Sequence, residues 1–514
     1  MTDALAARAH PLRRRPQVLV PAGPPQTRSA PAGTRAIVVG GGVAGISAAV
    51  VLAERGVAVT LLEAADTLGG RLGSWPHTLP DGTTQNVEHG FHAFFRHYYT
   101  WRAILRRADP LLGFLRPVDG YPVISRRWPA EDLGNLPKAP PLNLLALFAR
   151  SPSLRLREIA GADAGAGFAL LAHDADRTRE MFDDVSAADF LERLGVSERA
   201  RQMLFQAFAR SFFCAEEELS AGELVAMFHF YFLGNPEGIG FDSPSEDHLT
   251  CIWEPLAAHL EAHGGQIRTG VRAEGLERVG GGWRVAGAEA EHVVLALDPG
   301  GLRSLVGASP DVYPRLAEQC ASLRVAPPFA VTRLWLERDV RPDRAVFSAV
   351  SGEPTLDSVT LYSRLERPSA EWAARTGGAV LELHSYASRA PDAATASARM
   401  RAELEALWPE VAGAGVVHEY TQFGAGAPAF PPGSAGTRPA VRTDTPGIRV
   451  AGDFVEVPYV SGLMERASMS GVLAANDVLA AVGAGPEEIL GIPQRGLLAG
   501  LPVHRLGRLG RARV

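Results

Sequence analysis

The chain has 514 residues, of which 46% are hydrophobic and 21% are charged, and its net charge is −6. This length exceeds one ordinary core, so we expect two domains that share an interface. The negative charge argues against a nucleic-acid partner, since duplex binding needs a basic surface. The three cysteines, Cys214, Cys251 and Cys320, are far apart and form neither a zinc motif nor a disulfide framework, so a reducing cytoplasm is the expected location.

The N-terminal segment, residues 1–34, is rich in proline, arginine and alanine and contains a single acidic residue, Asp3. This composition predicts a disordered arm. Its longest apolar run, Val18-Leu19-Val20, is far shorter than the apolar core of a secretion signal, so we do not expect export.

A dinucleotide-binding pattern occupies residues 36–63, AIVVGGGVAGISAAVVLAERGVAVTLLE. A buried strand runs into Gly40, Gly42 and Gly45 at G-x-G-x-x-G spacing, and a helix and a second strand follow. The first glycine permits a tight turn, the second lets the backbone approach a pyrophosphate, and the third lets helix and strand pack closely. The second strand ends at Glu63, where a ribose hydroxyl needs an acceptor. We predict a dinucleotide whose phosphates lie at the helix N-terminus.

A second glycine pair follows in Leu68-Gly69-Gly70-Arg71, with an arginine suited to phosphate. Further along, residues 266–271 and 291–300 read as strands, with a hairpin at 280–287 between them. Residues 448–476 read as a strand that ends at Gly452-Asp453, followed by a helix that begins near Gly462. These segments predict a discontinuous nucleotide-binding domain formed by residues 35–90, 242–300 and 431–483.

The stretch GFHAFFRHYYTWR, residues 90–102, is unusually aromatic. Its side chains at i, i+3, i+4 and i+7 predict one face of a helix, Phe91, Phe94, Phe95 and Tyr98. His89, His92 and His97 are spaced by three and five, which is not the i, i+4 pair that binds zinc, so no metal site is expected. Core packing and the wall of a lipophilic cavity both remain open for this stretch.

A second aromatic stretch lies within residues 210–242, where Leu224 to Leu233 is apolar except for His229. Ten residues cannot span a bilayer, so the run predicts a buried helix, again either core or cavity wall. The segments that carry both stretches, 91–241 and 301–430, are predicted to form an inserted α+β substrate-binding domain.

The nucleotide motifs resemble the FAD-dependent amine oxidase and phytoene desaturase superfamily, in which a G-G-R follows the acidic residue. The resemblance implies an α/β fold with a discontinuous Rossmann-like, amine-oxidase-like FAD domain. It also implies that Asp453 holds the ribityl or phosphate part of FAD and that the helix N-terminus at Met464 faces the flavin. Val271 would offer its backbone to the adenine. The full cofactor set expected on this basis is Gly40, Gly42, Val43, Ala44, Gly45, Glu63, Gly69, Gly70, Arg71, Val271, Asp453 and Met464.

A narrower family is indicated by GFHAFFRHYY, RSFF, ELVAMFHFYFLGNPEGIGFD and LMERASMSGVLAAN. These segments resemble the bacterial aromatic-carotenoid synthases, the isorenieratene synthase type of β-carotene desaturase/methyltransferase. The resemblance runs from about residue 36 to the C-terminal tail. It implies hydride loss from a β-ionone ring to the flavin, migration of one geminal methyl group and loss of protons to leave an aromatic ring.

This reaction gives the aromatic side chains a use, because aromatic faces stabilise a polyene cation and an enclosed cavity excludes water. The expected cavity residues are Phe91, Phe94, Phe95, Tyr98, Phe228 and Tyr231, and His92 or His229 could act as the base. We expect a lipophilic carotenoid or other polyene as substrate. The electron acceptor is open between a quinone and oxygen.

Three alternatives remain. A flavin amine oxidase generally has a lysine beside the flavin, but the single lysine, Lys138, lies in the proline-rich loop LPKAPPLN. Non-catalytic lipid-binding escorts of the superfamily have lost flavin binding, whereas the glycines are present here. A desaturase or aromatase of an acyclic carotenoid or another polyene would use the same residues.

The C-terminal tail, residues 484–514, contains five arginines and regularly spaced leucines in LGIPQRGLLAGLPVHRLGRLGRARV. It reads either as a solvated tail or as a segment that lies on an anionic bilayer. Because a carotenoid resides in the bilayer, we expect a cytoplasmic protein that is peripherally associated with the membrane, with this tail as a candidate contact.

Overall fold

The computed structural model describes residues 15–499 except 156, 157, 159 and 160. Two large sheets organise this part of the chain. One is formed by segments predicted to bind the nucleotide, and the other by segments predicted to bind the substrate. No helix in the described residues combines the length and apolarity that crossing a bilayer requires.

The first sheet, here called the nucleotide sheet, has five parallel strands. Its central strands are mostly buried and apolar because helices cover the faces of the sheet, whereas the edge strand Gln266–Arg268 is largely exposed. In spatial order they are Gln266–Arg268, Ala58–Leu62, Arg35–Val39, His292–Leu295 and Ile448–Val450. The strands therefore come from three separate stretches of the chain, and the mixed α/β architecture with a discontinuous Rossmann-like sheet is confirmed.

Two long helices pack on each other beside this sheet, Val43–Glu54 and Leu463–Ala481. Their backbones approach closely at Gly471, where an added Cβ would lie 2.1 Å from the carbonyl oxygen of Ala44. The N-terminus of each helix consequently opens toward the same space. Helix Glu254–Ala262 packs on Val43–Glu54 as well. A three-stranded meander lies nearby, formed by Glu277–Val279, Gly282–Val285 and Ala288–Ala290.

The second sheet, here called the cavity sheet, has seven strands and is mostly antiparallel. In spatial order its strands are Val416–Gly424, Phe329–Leu336, Ala379–Ser385, Ser358–Leu361, Phe347–Val350, Pro122–Ile124 and Glu131–Asp132. Strands Ala379–Ser385 and Ser358–Leu361 are buried at every position. The remaining strands form small sheets: Ser74–Thr78 with Thr84–Glu88, and Phe241–Pro244 between Phe94–Phe95 and Leu115–Val118.

Further helices lie around both sheets: Ala393–Leu407 packs on the cavity sheet, whereas Tyr99–Ala108 packs on Leu463–Ala481 beside the nucleotide sheet. The further helices are Tyr99–Ala108, Leu142–Arg150, Ala164–Leu171, Ala175–Phe182, Ala187–Leu194, Glu198–Ala200, Arg201–Gln206, Ala207–Arg210, Ala221–Phe228, His229–Leu233, Leu249–Trp253, Pro299–Gly307, Pro314–Ser322, Arg367–Thr376, Ala393–Leu407 and Pro409–Ala412. The predicted buried helix over Leu224 to Leu233 is confirmed, with a change from α to π geometry at His229.

The predicted helix over residues 91–98 is wrong. Phe94–Phe95 is a short strand paired with Phe241–Asp242, and the helix begins only at Tyr99. Its start is fixed by a distant carboxylate, because the Glu465 side chain accepts hydrogen bonds from the N–H groups of Thr100 at 2.9 Å and Trp101 at 3.0 Å. The helix-like spacing of these aromatic residues therefore does not place them on one face. Phe94 is fully buried, whereas Phe95 lines a cavity.

The prediction of a disordered arm is wrong for its described part. Gln17–Val20 forms a strand that pairs with Ile489–Gly491. The two ends of the described chain therefore form one two-stranded antiparallel sheet. Ile489 and Ile492 are fully buried, which makes the first part of the predicted tail a piece of the fold. Residues 1–14 and 500–514 lie outside the described residues.

Candidate functional site

A glycine-lined cradle lies at the carboxyl ends of the nucleotide strands. Gly40 has a φ of +104°, and a Cβ there would come within 2.4 Å of the Ala296 carbonyl oxygen. A Cβ at Gly45 would lie 1.8 Å from the Gly40 carbonyl oxygen. Only glycine fits either position. Gly42 is the N-cap residue of the helix, and no side chain caps it. Val43 and Ala44 are buried in the protein but line the cavity, where their N–H groups can face an anion.

Glu63 is held rigidly at the rim of this cradle. One carboxylate oxygen accepts the Gly41 N–H at 2.7 Å and the other accepts the Ala65 N–H at 2.8 Å. Each oxygen keeps a second lone pair, so the carboxylate can still accept a hydroxyl from a ribose. Val271 is not part of the cavity lining, and its N–H already donates to the Glu63 carbonyl oxygen at 2.8 Å. The backbone contact expected of Val271 would have to use its carbonyl oxygen.

The second glycine pair makes a tight loop that presents a cation. Gly69 and Gly70 have φ values of +128° and +53°, and the turn they form places Arg71 opposite Asp453, with 2.6 Å between guanidinium and carboxylate. Asp453 is buried, whereas 39% of the Arg71 side chain is accessible from the cavity. Burial alone would lower the pKa of Arg71, but Asp453 outweighs it and raises that pKa. A permanent cation thus faces the cradle.

The other end of the cradle is the N-terminus of helix Leu463–Ala481. Its N-cap is Gly462, and no side chain caps it. Leu463 has a φ of +48°, a strained value for a branched residue. Met464 follows in the cavity lining. An uncapped helix end carries partial positive charge and suits an anionic or carbonyl group. Two uncapped helix ends, a carboxylate and an arginine along one glycine cradle fit the parts of a flavin dinucleotide.

A large apolar cavity continues from the cradle, and the volume of the two together is about 940 Å³. Five of the six expected aromatic side chains line it: Phe91, Phe95, Tyr98, Phe228 and Tyr231. Phe94 does not, since it is fully buried against the ring of His248. The hydroxyls of Tyr98 and Tyr231 hydrogen bond each other at 2.6 Å, which leaves their rings to the cavity.

The two histidines proposed as bases have different positions. His92 lines the cavity, and its Nδ1–H donates to the Gly90 carbonyl oxygen at 2.7 Å. Loss of solvent lowers the pKa of His92 to about 4, so this ring holds a proton poorly. His229 is absent from the lining. It is fully buried beneath it, stacks on His173, and donates from Nε2 to the Pro493 carbonyl oxygen at 2.7 Å. A role for His229 as the base is therefore wrong.

Sequence reasoning missed the wall that the cavity sheet contributes. Ser358, His384 and Tyr386 line the cavity from two adjacent strands. The available signal was the stretch LELHSY, in which Glu382 and His384 place two polar side chains on one face of an otherwise apolar strand. Phe241, Phe329 and Phe347 complete this wall.

A buried charge cluster lies behind that wall. The Arg333 guanidinium contacts three carboxylates, Glu88 at 2.6 Å, Glu382 at 2.9 Å and Glu366 at 3.5 Å. Burial raises the pKa of Glu88 to about 8 and that of Glu366 to about 7. Burial acts in the same direction on Glu382, but Arg333 and His384 outweigh it and lower its pKa to about 2. Glu382 therefore carries the negative charge that balances Arg333.

No group of three or more potential metal ligands occurs in the part of the chain that the structure describes. Lys138 is exposed and does not line the cavity. The polar groups that line the cavity include Glu63, Arg71, His89, His92, Asp298 and Asp453 together with the cavity-sheet side chains.

The chain is similar to one protein family and to several known proteins. The family model "Flavin containing amine oxidoreductase" matches residues 43–479. A carotenoid phi-ring synthase from Streptomyces griseus is 42% identical, over 94% of this chain and 95% of its own length. A carotenoid phi-ring synthase from Chlorobaculum tepidum is 26% identical, over 90% and 91%. A putrescine oxidase variant superposes with a TM-score of 0.62 at 16% identity, covering 87% of this chain and 99% of its own. Reduced UDP-galactopyranose mutase gives 0.61 at 14%, covering 87% and 96%.

Proposed function

The chain belongs to the flavin-containing amine oxidoreductases and groups with the carotenoid phi-ring synthases, and from this membership we propose that it converts carotenoid β-ionone rings to aromatic rings. It is an FAD-dependent oxidoreductase. The observation that carries the proposal is the aromatic cavity that continues directly from the nucleotide cradle, the two enclosing about 940 Å³ together.

The cradle residues would hold FAD through its charged and hydroxyl groups. The N–H groups at Val43 and Ala44 would bind the pyrophosphate, Glu63 the ribose, and Arg71 with Asp453 the neighbouring polar part of the cofactor. The bound flavin supplies a hydride acceptor for an allylic ring carbon. The chain itself must then orient the ring, exclude water and remove protons.

The cavity wall fits the cation that hydride loss leaves on a polyene. Phe95, Tyr98 and Tyr231 form one aromatic group, in which the Phe95 and Tyr231 ring centroids lie 4.9 Å apart. Aromatic faces attract a cation by about 0.5–2 kcal/mol each when solvent is excluded. A cation kept from water in this way can persist while a methyl group migrates to the neighbouring carbon.

Amine oxidation is the less favoured chemistry for this site. Lys138, the single lysine of the sequence, has an exposed side chain that does not line the cavity, so it does not supply a lysine beside the flavin. The cavity wall offers hydrocarbon and aromatic surface, which matches a polyene. A non-catalytic lipid carrier would not require the glycine contacts at Gly40 and Gly45.

Anaerobic mixing of the purified flavoprotein with substrate tests this proposal. We expect β-carotene in liposomes to bleach the flavin absorbance, and putrescine to leave it unchanged. Bleaching by the amine alone would overturn the proposal, and bleaching only by acyclic carotenoids would move it to the alternative desaturase. Re-oxidation of the reduced protein by air or by a soluble quinone then identifies the acceptor class.

We propose that the membrane contact is the helix Leu142–Arg150, here called the apolar helix. Leu142 and Leu145 are each 62% exposed and Phe148 is 50% exposed. Leu144 and Leu147 on the same helix line the cavity. One short helix thus joins an exposed apolar face to the substrate cavity, and it ends at a basic residue, Arg150, suited to anionic headgroups. A bilayer that contains carotenoid is the occupant this face fits.

Vesicles of anionic phospholipid test the contact. Leu145→Asp should reduce the fraction of protein that floats with the vesicles, while Leu111→Asp should not, although Leu111 is 90% exposed and lies outside the cavity lining. Equal flotation of the two variants would contradict the proposal. A third protein that lacks residues 500–514 measures the contribution expected from the arginine-rich tail without removing the strand Ile489–Gly491.

A further inference from the structure

A chain of hydrogen-bonded polar groups runs from the cavity surface into the charge cluster. The Tyr386 and Ser358 hydroxyl oxygens are 2.9 Å apart, and the Ser358 oxygen is 2.9 Å from Nδ1 of His384. On the far side of the ring, Nε2 of His384 lies 2.9 Å from Glu382, whose other oxygen receives Arg333 at 2.9 Å. Tyr386, Ser358 and His384 all line the cavity.

The surroundings of His384 let it take up a second proton. With a proton on Nε2, the ring donates to Glu382, and Nδ1 is left to accept the Ser358 hydroxyl. The Phe91 N–H lies 3.1 Å from Nε2 and can donate to it only when Nε2 carries no proton, so the ionised Glu382 favours the tautomer with its proton on Nε2. Protonation of Nδ1 gives an imidazolium that donates to Ser358 and Glu382 together. Glycine at position 90 leaves room for the His384 ring, since a Cβ there would lie 2.9 Å from Nε2 of His384.

Burying a polar network such as that of His384 and Ser358 costs free energy, so we expect the network to have a function. His384 and Ser358 are only 2% and 1% exposed, and with Glu382 and Thr360 they form a buried polar face of the sheet. Buried polar networks are stabilising only when every member is paired. Here the network ends on a cavity that would hold a hydrocarbon, which provides no hydrogen-bond partner for Tyr386. The outer end of the network is therefore the place where a proton can enter.

We propose that Tyr386, Ser358 and His384 form the relay that removes the protons released during ring aromatisation. The inference rests on the proposed function. A ring C–H bond of the polyene cation breaks, its electron pair becomes a new C=C bond, and the proton goes to the Tyr386 oxygen. The Tyr386 hydroxyl proton moves to Ser358, and the Ser358 proton moves to Nδ1 of His384. The polyene becomes neutral and His384 becomes an imidazolium paired with the Glu382 carboxylate.

This assignment replaces His92 as the base. His92 lines the same cavity, but its Nδ1–H is bonded to the Gly90 carbonyl oxygen and no carboxylate is recorded as a hydrogen-bond partner of its ring. The charged and titratable groups that face His384 are Glu382 on its own strand, Arg333 and Asp357 on the neighbouring strands, Tyr386, and His92 from the segment above. Among these, Glu382 alone bonds directly to the ring and is held ionised.

The test uses the holoenzyme with β-carotene in liposomes and compares Ser358→Ala, His384→Asn and Tyr386→Phe with the control Tyr420→Phe. Tyr420 is a tyrosine of the same sheet that accepts the Trp75 indole N–H and lies outside the cavity lining. We expect the three relay variants to keep their flavin and to form aromatic product roughly 100-fold more slowly, as loss of general base catalysis predicts. The control should keep the wild-type rate.

A pH profile separates the relay from a structural role. The pH dependence of product formation that the wild-type protein shows should be altered in His384→Asn. Ser358→Thr, which restores a hydroxyl, should recover most of the rate. Unchanged rates in Ser358→Ala and Tyr386→Phe, or an unchanged pH profile in His384→Asn, would overturn the relay. A wild-type holoenzyme that leaves β-carotene unaltered would instead refute the proposed function.

Discussion

The glycine cradle gives a quantitative prediction at Gly45. In Gly45→Ala the new Cβ would lie 1.8 Å from the Gly40 carbonyl oxygen and 3.3 Å from the Cβ of Ala296. Real Cβ contacts stop near 3.0 Å, so helix Val43–Glu54 must move by roughly 1.2 Å from the turn. The helix cannot move freely, because its other side packs on Leu463–Ala481. Overpacking of this kind costs about 1–3 kcal/mol.

Much of that cost should fall on cofactor binding, since the displaced helix end carries the N–H groups that would bind the pyrophosphate. A loss of 1–3 kcal/mol corresponds to an FAD affinity that is weaker by about fivefold to 150-fold. Titration of the flavin-free protein with FAD, followed by flavin fluorescence, measures the dissociation constant. Gly281→Ala is the matched control, because Gly281 has nothing within 4 Å of an added Cβ and no left-handed φ. Equal FAD affinity in the two variants would refute the reasoning.

Two further predictions concern the buried polar groups. Arg333→Met leaves Glu88, Glu366 and Glu382 without their cation and should lower the free energy of unfolding by about 3–5 kcal/mol in urea, whereas an unchanged midpoint would contradict the cluster's role. His97 is packed among aromatic rings, and burial lowers its pKa to about 3. Below pH ~6.5 His97 is protonated in the unfolded chain but stays neutral in the folded chain. The free energy of unfolding therefore falls as the pH falls. His97→Phe should remove about 1.4 kcal/mol of this loss per pH unit between pH ~6 and ~4, and parallel stability curves for the two proteins would contradict it.

The nucleotide-binding half of the molecule was largely predictable from local patterns. The strand, glycine turn and helix over residues 36–63 have the predicted order, and the helix after Gly462 begins at Leu463. These elements form from neighbouring residues, and the glycines have steric requirements that a sequence displays directly. The cradle side chains Glu63, Arg71 and Asp453 lie along one cavity, as their positions after strands and turns indicated.

The substrate half was harder to predict because its structure depends on distant partners. The aromatic spacing at 91–98 has a helical period, yet pairing of Phe94–Phe95 with Phe241–Asp242 makes it a strand. His229 and Tyr231 lie in the same aromatic run. The helix directs the His229 side chain away from the cavity toward Pro493, whereas Tyr231 lines the cavity. The Tyr386, Ser358 and His384 relay joins two strands whose register only the folded sheet reveals. The polar pair in LELHSY indicates Glu382 and His384, but it does not indicate their partner Ser358 on the neighbouring strand.

Pigment analysis tests the central claim most directly. The chain is expressed in a bacterial host that accumulates β-carotene, and the extracted carotenoids are separated by chromatography and identified by mass spectrometry. We predict a product with the same number of carbons, fewer hydrogens and an aromatic end group. Unaltered β-carotene in cells whose purified protein shows a flavin spectrum would contradict the claim.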